Sequence, residues 1–197
     1  GCVYCYARPS HAYMDLSPGL DFEQKIFAKP AAATVLRQEL SKRGYRCSPI
    51  TLGANTDAWQ PVERELHITR QILRVFVEFR HPVSIITKSA LVERDLDLLQ
   101  DLARDNLVHV LVSVTTLDDE LKRRMEPRTA GPRRRIETIR RLSAAGIPCG
   151  VLAAPMIPGL NDHELENILA GAADAGAIFA GYVLLRLPYE VLPIFSD

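Results

Sequence analysis

Four cysteines are available for chemistry in this chain, Cys2, Cys5, Cys47 and Cys149, and only the first two stand at a ligand-like spacing. Cys2-Val3-Tyr4-Cys5 puts two thiols on one tight turn. That arrangement suits half of a zinc site, a dithiol–disulfide couple or two corners of an iron–sulfur cluster. A structural zinc site takes four ligands, and neither Cys47 nor Cys149 has a Cys-x-x-Cys partner. A redox pair usually holds small residues or proline between its cysteines, whereas here Tyr4 precedes the second thiol and Tyr6 follows it. On the pair alone, the zinc, redox and iron–sulfur readings all stay open.

Other residues with chemical capacity recur along the chain. They are Asn55 and Asp57 after Gly53, Lys88-Ser89, Ser113, the run Pro155 to Asp162, and Arg186. The elements around them explain what they share. Apolar runs at Pro49–Gly53, Pro82–Thr87, Val108–Val114, Pro148–Ala154 and Ile178–Leu185 read as strands. Helical stripes fill Ala31–Arg43, Glu63–Phe79, Leu91–Ala103, Arg133–Ala145 and His163–Ala175, several of them stopping at glycine. Pro9 to Lys29 reads as a polar loop with a turn at Pro18-Gly19. Strand and helix thus alternate with a period of about 30 residues, which predicts an α/β fold with a parallel sheet and crossover helices. The nearly all-apolar strands predict a sheet covered on both faces. In such folds the loops after the carboxyl ends of the strands face one crevice. Every residue named above lies at or just past a strand end.

Composition narrows the remaining classes. With 24 basic and 24 acidic residues the net charge is zero, so nothing global favours nucleic acid or an anionic membrane. One local cluster, Arg123, Arg124, Arg133, Arg134 and Arg135, is diluted by Glu120, Glu126 and Glu137. A length of 197 residues supports one core and one domain spanning 1–197. No apolar run approaches the roughly 20 residues of a membrane span. Few, unevenly spaced cysteines point to a reducing, cytoplasmic compartment. The chain opens inside the cysteine motif and without methionine, and reads as a piece of a longer protein truncated at both ends.

Gly-Cys-Val-Tyr-Cys-Tyr resembles the end of the Cys-x-x-x-Cys-x-x-Cys loop of the radical S-adenosylmethionine (SAM) superfamily, closest to its spore photoproduct lyase-like branch. Cys2 and Cys5 match the second and third cysteines, and the first would fall four residues before Cys2. Ile85-Ile86-Thr87-Lys88-Ser89, Leu111-Val112-Ser113-Val114, Met125-Glu126-Pro127-Arg128-Thr129, Ala154 to Asp162 and Val183-Leu184-Leu185-Arg186 resemble successive segments of the same family. The resemblance implies a partial (β/α)6 TIM-like barrel whose first strand precedes Gly1. It implies a [4Fe-4S] cluster held by Cys2 and Cys5 and a bound S-adenosyl-L-methionine cleaved reductively to a 5′-deoxyadenosyl radical. Lys88, Ser113 and Arg128 would then hold the cofactor's polar groups, with Pro155, Ile157, Gly159 and Leu184 along the adenine. An electron donor such as flavodoxin or ferredoxin is implied, and nucleic acid is a candidate substrate.

The segment Gly53-Ala54-Asn55-Thr56-Asp57 departs from the family pattern. It has no glutamate for the cofactor's amino group, which leaves Asn55 and Asp57 as the acceptors, and no cysteine. The kinship therefore concerns scaffold and radical generation and leaves the substrate unassigned. Two other classes compete: a barrel module that has lost cluster chemistry, and a zinc protein using Cys2 and Cys5.

Overall fold

The computed structural model describes residues 1–189 and 191–196. Five strands form one parallel sheet in chain order: β1 (Ile50–Leu52), β2 (Val83–Thr87), β3 (Val108–Ser113), β4 (Cys149–Met156) and β5 (Phe179–Leu184). Ile50 pairs with Val83, Val83 with Val108, Val110 with Cys149 and Gly150 with Phe179. Parallel neighbours require long crossovers, and helices supply them. Helices α1 (Leu20–Gln24) and α2 (Ala32–Leu40) precede β1, while α3 (Glu63–Leu66) and α4 (Ile68–Phe79) lead from β1 to β2. Helix α5 (Leu96–Arg104) leads to β3, α6 (Asp119–Met125) and α7 (Pro132–Ala144) to β4, α8 (Leu165–Asp174) to β5, and α9 (Val191–Ser196) follows. The expected α/β architecture is present, as a partial barrel with five strands among the described residues.

The core lies between the sheet and its helices. Val83, Ile85, Val110, Val112 and Val151 meet Leu73, Phe76, Leu99, Leu102, Ile139, Leu142 and Ile168, all buried. Each such Leu, Ile or Phe contributes about 1.5–3 kcal/mol by leaving water. The other face of the sheet is less covered: Ser84, Ile86 and Leu152 are only half-buried and His109 is exposed. This corrects the expectation of a sheet covered on both faces. Apolar residues on both sides of a strand do not say which side a helix occupies.

Local differences have identifiable causes. The stripe expected to be one helix over 63–79 breaks at His67, which adopts a left-handed conformation (φ 52°) and separates α3 from α4. Apolar periodicity does not register a reversal made by one residue. The stripe over 91–103 begins as a 3-10 helix (Ala90–Asp95), with Ser89 Oγ accepting from the Leu91 N–H at 3.2 Å, and becomes α-helical from Leu96. The segment expected as a polar loop contains a 3-10 helix (Arg8–Met14) and α1. Helix α6 was not among the expected stripes; Asp118 caps it, its carboxylate accepting from Glu120 and Leu121 N–H groups at the N-terminus.

Candidate functional site

The residues past the strand ends converge through a small set of buried polar contacts. Gly53, at the end of β1, has φ +83°, and a Cβ there would lie 1.9 Å from the Ile86 carbonyl oxygen. Only glycine lets the loop after β1 pass so close to β2. The loop delivers Asp57, whose carboxylate accepts from Thr87 Oγ1 at 2.8 Å, the Lys88 N–H at 2.7 Å and the Trp59 N–H at 2.9 Å. Asp57 thus fixes the backbone from which the Lys88 side chain projects.

Lys88 reaches toward a second carboxylate. Its Nζ lies 3.9 Å from Glu126 Oε1 and 5.8 Å from the centre of the Tyr4 ring. Glu126, 1% exposed, follows α6. It accepts from the Tyr4 hydroxyl, from Thr115 Oγ1 at 2.8 Å and from the Arg135 guanidinium. Arg135, 2% exposed, also donates to the Ser113 carbonyl at 3.0 Å and the Ala130 carbonyl at 2.8 Å. Burial pushes the Glu126 carboxyl up in pKa, but Arg135, Lys88 and the Tyr4 hydroxyl outweigh it and hold it below the ordinary range. Burial and then the Glu126 charge push the Tyr4 phenol up, so it stays protonated and donates.

The cysteine loop is tied to this network. The Val3 N–H donates to the Met125 carbonyl at 3.0 Å, and the Cys5 N–H to the Cys2 carbonyl at 3.2 Å. Buried Arg8 donates from Nε to the Cys2 carbonyl at 3.0 Å and pairs with Glu23. Cys2 and Cys5 are both half-buried. Burial, reinforced by the Glu126 charge, pushes the Cys2 thiol up to about 11.

The third component comes from β4. Asn161, fully buried, accepts from the Ile157 N–H at 2.7 Å and donates to the Thr115 carbonyl at 2.7 Å and the Pro155 carbonyl at 3.0 Å. Ser113 Oγ donates to the Ala154 carbonyl at 3.3 Å and Thr115 Oγ1 to the same oxygen at 2.9 Å, locking the ends of β3 and β4 together. Gly159 turns the chain with φ +76°, and its N–H donates to Asp162 at 2.9 Å. Leu184 pairs with Met156 in the sheet, and the Leu185 N–H donates to the Met156 carbonyl at 3.0 Å. Tyr4, Met125 and Ile157 form a separate apolar cluster, joined by Cys2, Val3, Leu121 and Leu185. Cysteine loop, α6, the segment after β4 and the end of β5 therefore meet at one place.

Several expected residues stand differently. Asn55 is exposed on its loop, and Leu184 is 58% exposed although its neighbours converge. The Asp57 oxygens are occupied by backbone and Thr87 donors, so it acts through Lys88 instead of presenting a free acceptor. Arg128 is exposed and bonds Glu23, at 3.0 Å to its backbone carbonyl and 3.0 Å to its carboxylate, the same residue that pairs with Arg8 beside the cysteine loop. The arginine run is not one basic face. Arg135 is buried on Glu126, and Arg134 pairs with Glu93 at 2.6 Å. Thr115 and Arg8 were not singled out by sequence reasoning, and Glu126 and Arg135 were named only within a family-like segment and a basic run. That the two pair with each other was not legible, because a buried ion pair between residues nine apart leaves no periodic signature.

Among the described residues no group of three His, Cys, Asp or Glu is placed to hold a metal ion. Cys47 is exposed ahead of β1, and Cys149 is buried at the start of β4, so both sit at the opposite end of the sheet from Cys2 and Cys5. The loop thiols fit two corners of a cluster. Zinc would need two further ligands, a cluster with one open iron a single further thiolate.

The Radical SAM superfamily model matches residues 1–170. The chain belongs to this superfamily. An uncharacterised protein of Mycobacterium tuberculosis is 39% identical over 178 residues, which are 89% of this chain and 52% of that protein. The radical SAM chain thus spans about half the length of the curated relatives it matches. The Radical SAM Nalpha-GlyT isomerase of Pseudomonas phage M6 is 23% identical, covering 83% of this chain and 32% of that protein. Among solved structures, a spore photoproduct lyase variant with bound AdoMet and dinucleoside spore photoproduct superimposes with a TM-score of 0.67 at 16% identity, over 99% of this chain and 56% of that one. Streptococcus suis SuiB bound to S-adenosylmethionine does so with a TM-score of 0.58 at 16% identity, over 82% of this chain and 35% of that one. These likenesses show the partial TIM-barrel fold of the superfamily. No helix among the described residues is long and apolar enough to cross a membrane.

Proposed function

We propose that residues 1–197 are the radical-generating core of a radical SAM enzyme, which cleaves S-adenosyl-L-methionine reductively to a 5′-deoxyadenosyl radical. A [4Fe-4S] cluster with one open iron, when bound, supplies the electron and the anchoring point for the methionine moiety. Cys2 and Cys5 hold two of its irons, and the third thiolate comes from outside residues 1–197. Lys88, fixed by Asp57, presents its ammonium to the cofactor carboxylate. Ser113 holds the strand end beside it, and Asn55 supplies an acceptor for the amino group. Ile157 and Pro155, with Gly159 and Leu184 at the margin, border the adenine, and Asn161 keeps that backbone in place.

The observation that carries this reading is the meeting of the half-buried Cys2–Cys5 turn, the Lys88 ammonium and the Ile157 segment around Tyr4. The electron donor is a small redox protein of the flavodoxin or ferredoxin type, and a reducing cytoplasm suits the free, half-buried thiols of the cluster loop. The substrate class is left open. Spore photoproduct lyase takes a dinucleoside photoproduct and SuiB a precursor peptide. The dispersed arginines of this chain give no reason to prefer nucleic acid.

The test uses the full-length protein, purified and reconstituted without oxygen. Iron and sulfide near four each per chain, an EPR signal after dithionite reduction, and 5′-deoxyadenosine formed from S-adenosylmethionine are expected, by analogy with one cluster per site. Zinc without iron, or a reduced cluster that forms no 5′-deoxyadenosine, would overturn the reading.

A further inference from the structure

We infer that Glu126 is a positioning residue that sets the cysteine loop and Lys88 relative to each other. The inference rests on the proposal that Cys2 and Cys5 ligate the cluster. One oxygen, Glu126 Oε1, receives the Tyr4 hydroxyl and Thr115 Oγ1 at 2.8 Å, and stands 3.9 Å from the Lys88 ammonium. The other oxygen is held by Arg135, itself buried and fixed to the carbonyls of Ser113 and Ala130. The carboxylate therefore has a neutralising partner on the side of the fold and free contacts on the side of the site.

A carboxylate 1% exposed is costly unless several groups compensate it, and here every compensating group belongs to a different element of the site. Tyr4 is one of the two residues between the thiols. Thr115 closes the β3–β4 ends, and Lys88 ends β2. The backbone adds a second strut, since the Val3 N–H bonds the Met125 carbonyl next to Glu126. Two anchors, at Val3 and Tyr4, remove the rotational freedom of the loop between Cys2 and Cys5. The backbone between the two thiols and the Lys88 ammonium are then set relative to each other before any cofactor binds, which is what preorganisation requires.

Glu126→Gln leaves Arg135 buried without its counter-ion and carries a risk of misfolding. Tyr4→Phe is the primary variant: it removes the loop's bond to Glu126 and keeps the Glu126–Arg135 pair. Thr115→Val is the comparison: it removes a bond to Glu126 and the longer, 3.4 Å contact between the Thr115 and Tyr4 hydroxyls, but keeps the Tyr4–Glu126 bond. Amide hydrogen exchange of the metal-free full-length protein should show faster exchange across residues 3–8 in Tyr4→Phe and a smaller change there in Thr115→Val, which keeps the Tyr4–Glu126 bond. In reconstituted protein, Tyr4→Phe should broaden the EPR line shape of the reduced cluster. It should also weaken S-adenosylmethionine binding by about tenfold, the worth of one charge-assisted hydrogen bond. A Tyr4→Phe protein with wild-type exchange over residues 3–8, or with wild-type line shape and affinity, overturns the inference. A wild-type protein that holds no iron–sulfur cluster overturns instead the proposal beneath it, and the exchange result in metal-free protein keeps the two failures distinct.

Discussion

The Asp57 carboxylate accepts the backbone N–H of Lys88 at 2.7 Å, so the loop after β1 decides where the residue at the end of β2 sits. Three donors converge on that carboxylate, and both of its oxygens are used. Asp57→Ala strands two backbone N–H groups and the Thr87 hydroxyl. We expect about 2–4 kcal/mol lower unfolding free energy in urea: a fully buried unpaired donor costs about 1–3 kcal/mol, and these three are partly buried, so water recovers part of the loss. Asp57→Asn, with one acceptor oxygen, should fall between the two. Equal stability of Asp57→Ala and wild type would show that the loop is held by other means.

Gly53→Ala tests the close passage of the same loop over Ile86. The left-handed backbone alone costs an alanine about 1–3 kcal/mol, and the 1.9 Å approach of Cβ to the Ile86 oxygen adds to it. A midpoint shift in urea corresponding to less than about 1 kcal/mol would contradict the geometry.

Asp95 governs an acid transition. It is fully buried and accepts from Trp59 Nε1 at 2.8 Å, Arg70 at 2.9 Å and Arg94 at 2.7 Å. Burial pushes its carboxyl up, but the Arg94, Arg70 and Trp59 bonds together hold it below its ordinary value of 3.8. A group depressed on folding adds stability that is fully present above the unfolded pKa and is lost as pH falls through the folded one. Unfolding free energy should therefore decline below about pH 4. Asp95→Asn should be less stable at neutral pH and flatter across this range. A wild-type slope in Asp95→Asn would assign the transition to other carboxyls.

Thiol reactivity separates the four cysteines. Cys47 is exposed, whereas Cys149 is 1% exposed, donates to the Ile139 carbonyl at 3.5 Å and is pushed up to about 11 by burial. Alkylation of metal-free protein followed by mass spectrometry should label Cys47 first and Cys149 last. Cluster reconstitution should protect Cys2 and Cys5 and leave Cys47 reactive. Unchanged labelling of Cys2 and Cys5 after reconstitution would remove them as ligands.

Much of this protein is set by its sequence alone. The alternation of apolar runs with helical stripes determines an α/β parallel sheet, because crossover connections of that length suit nothing else as well. The same alternation puts Lys88, Ser113 and Pro155 at one end of it, whereas the cysteine loop, ahead of the first strand, is placed there by its contacts with Met125 and Glu126. Tertiary structure alone decided which of those residues are held in place by buried partners and which partners hold them. Asp57 and Lys88 are 31 positions apart and Tyr4 and Glu126 are 122 apart. Arg128 and Arg135, alike as arginines, part company as an exposed partner of Glu23 and a buried partner of Glu126. Side-chain period reports the face of one element. Buried charge pairs between elements depend on where the chain returns, and that is written only in the packing.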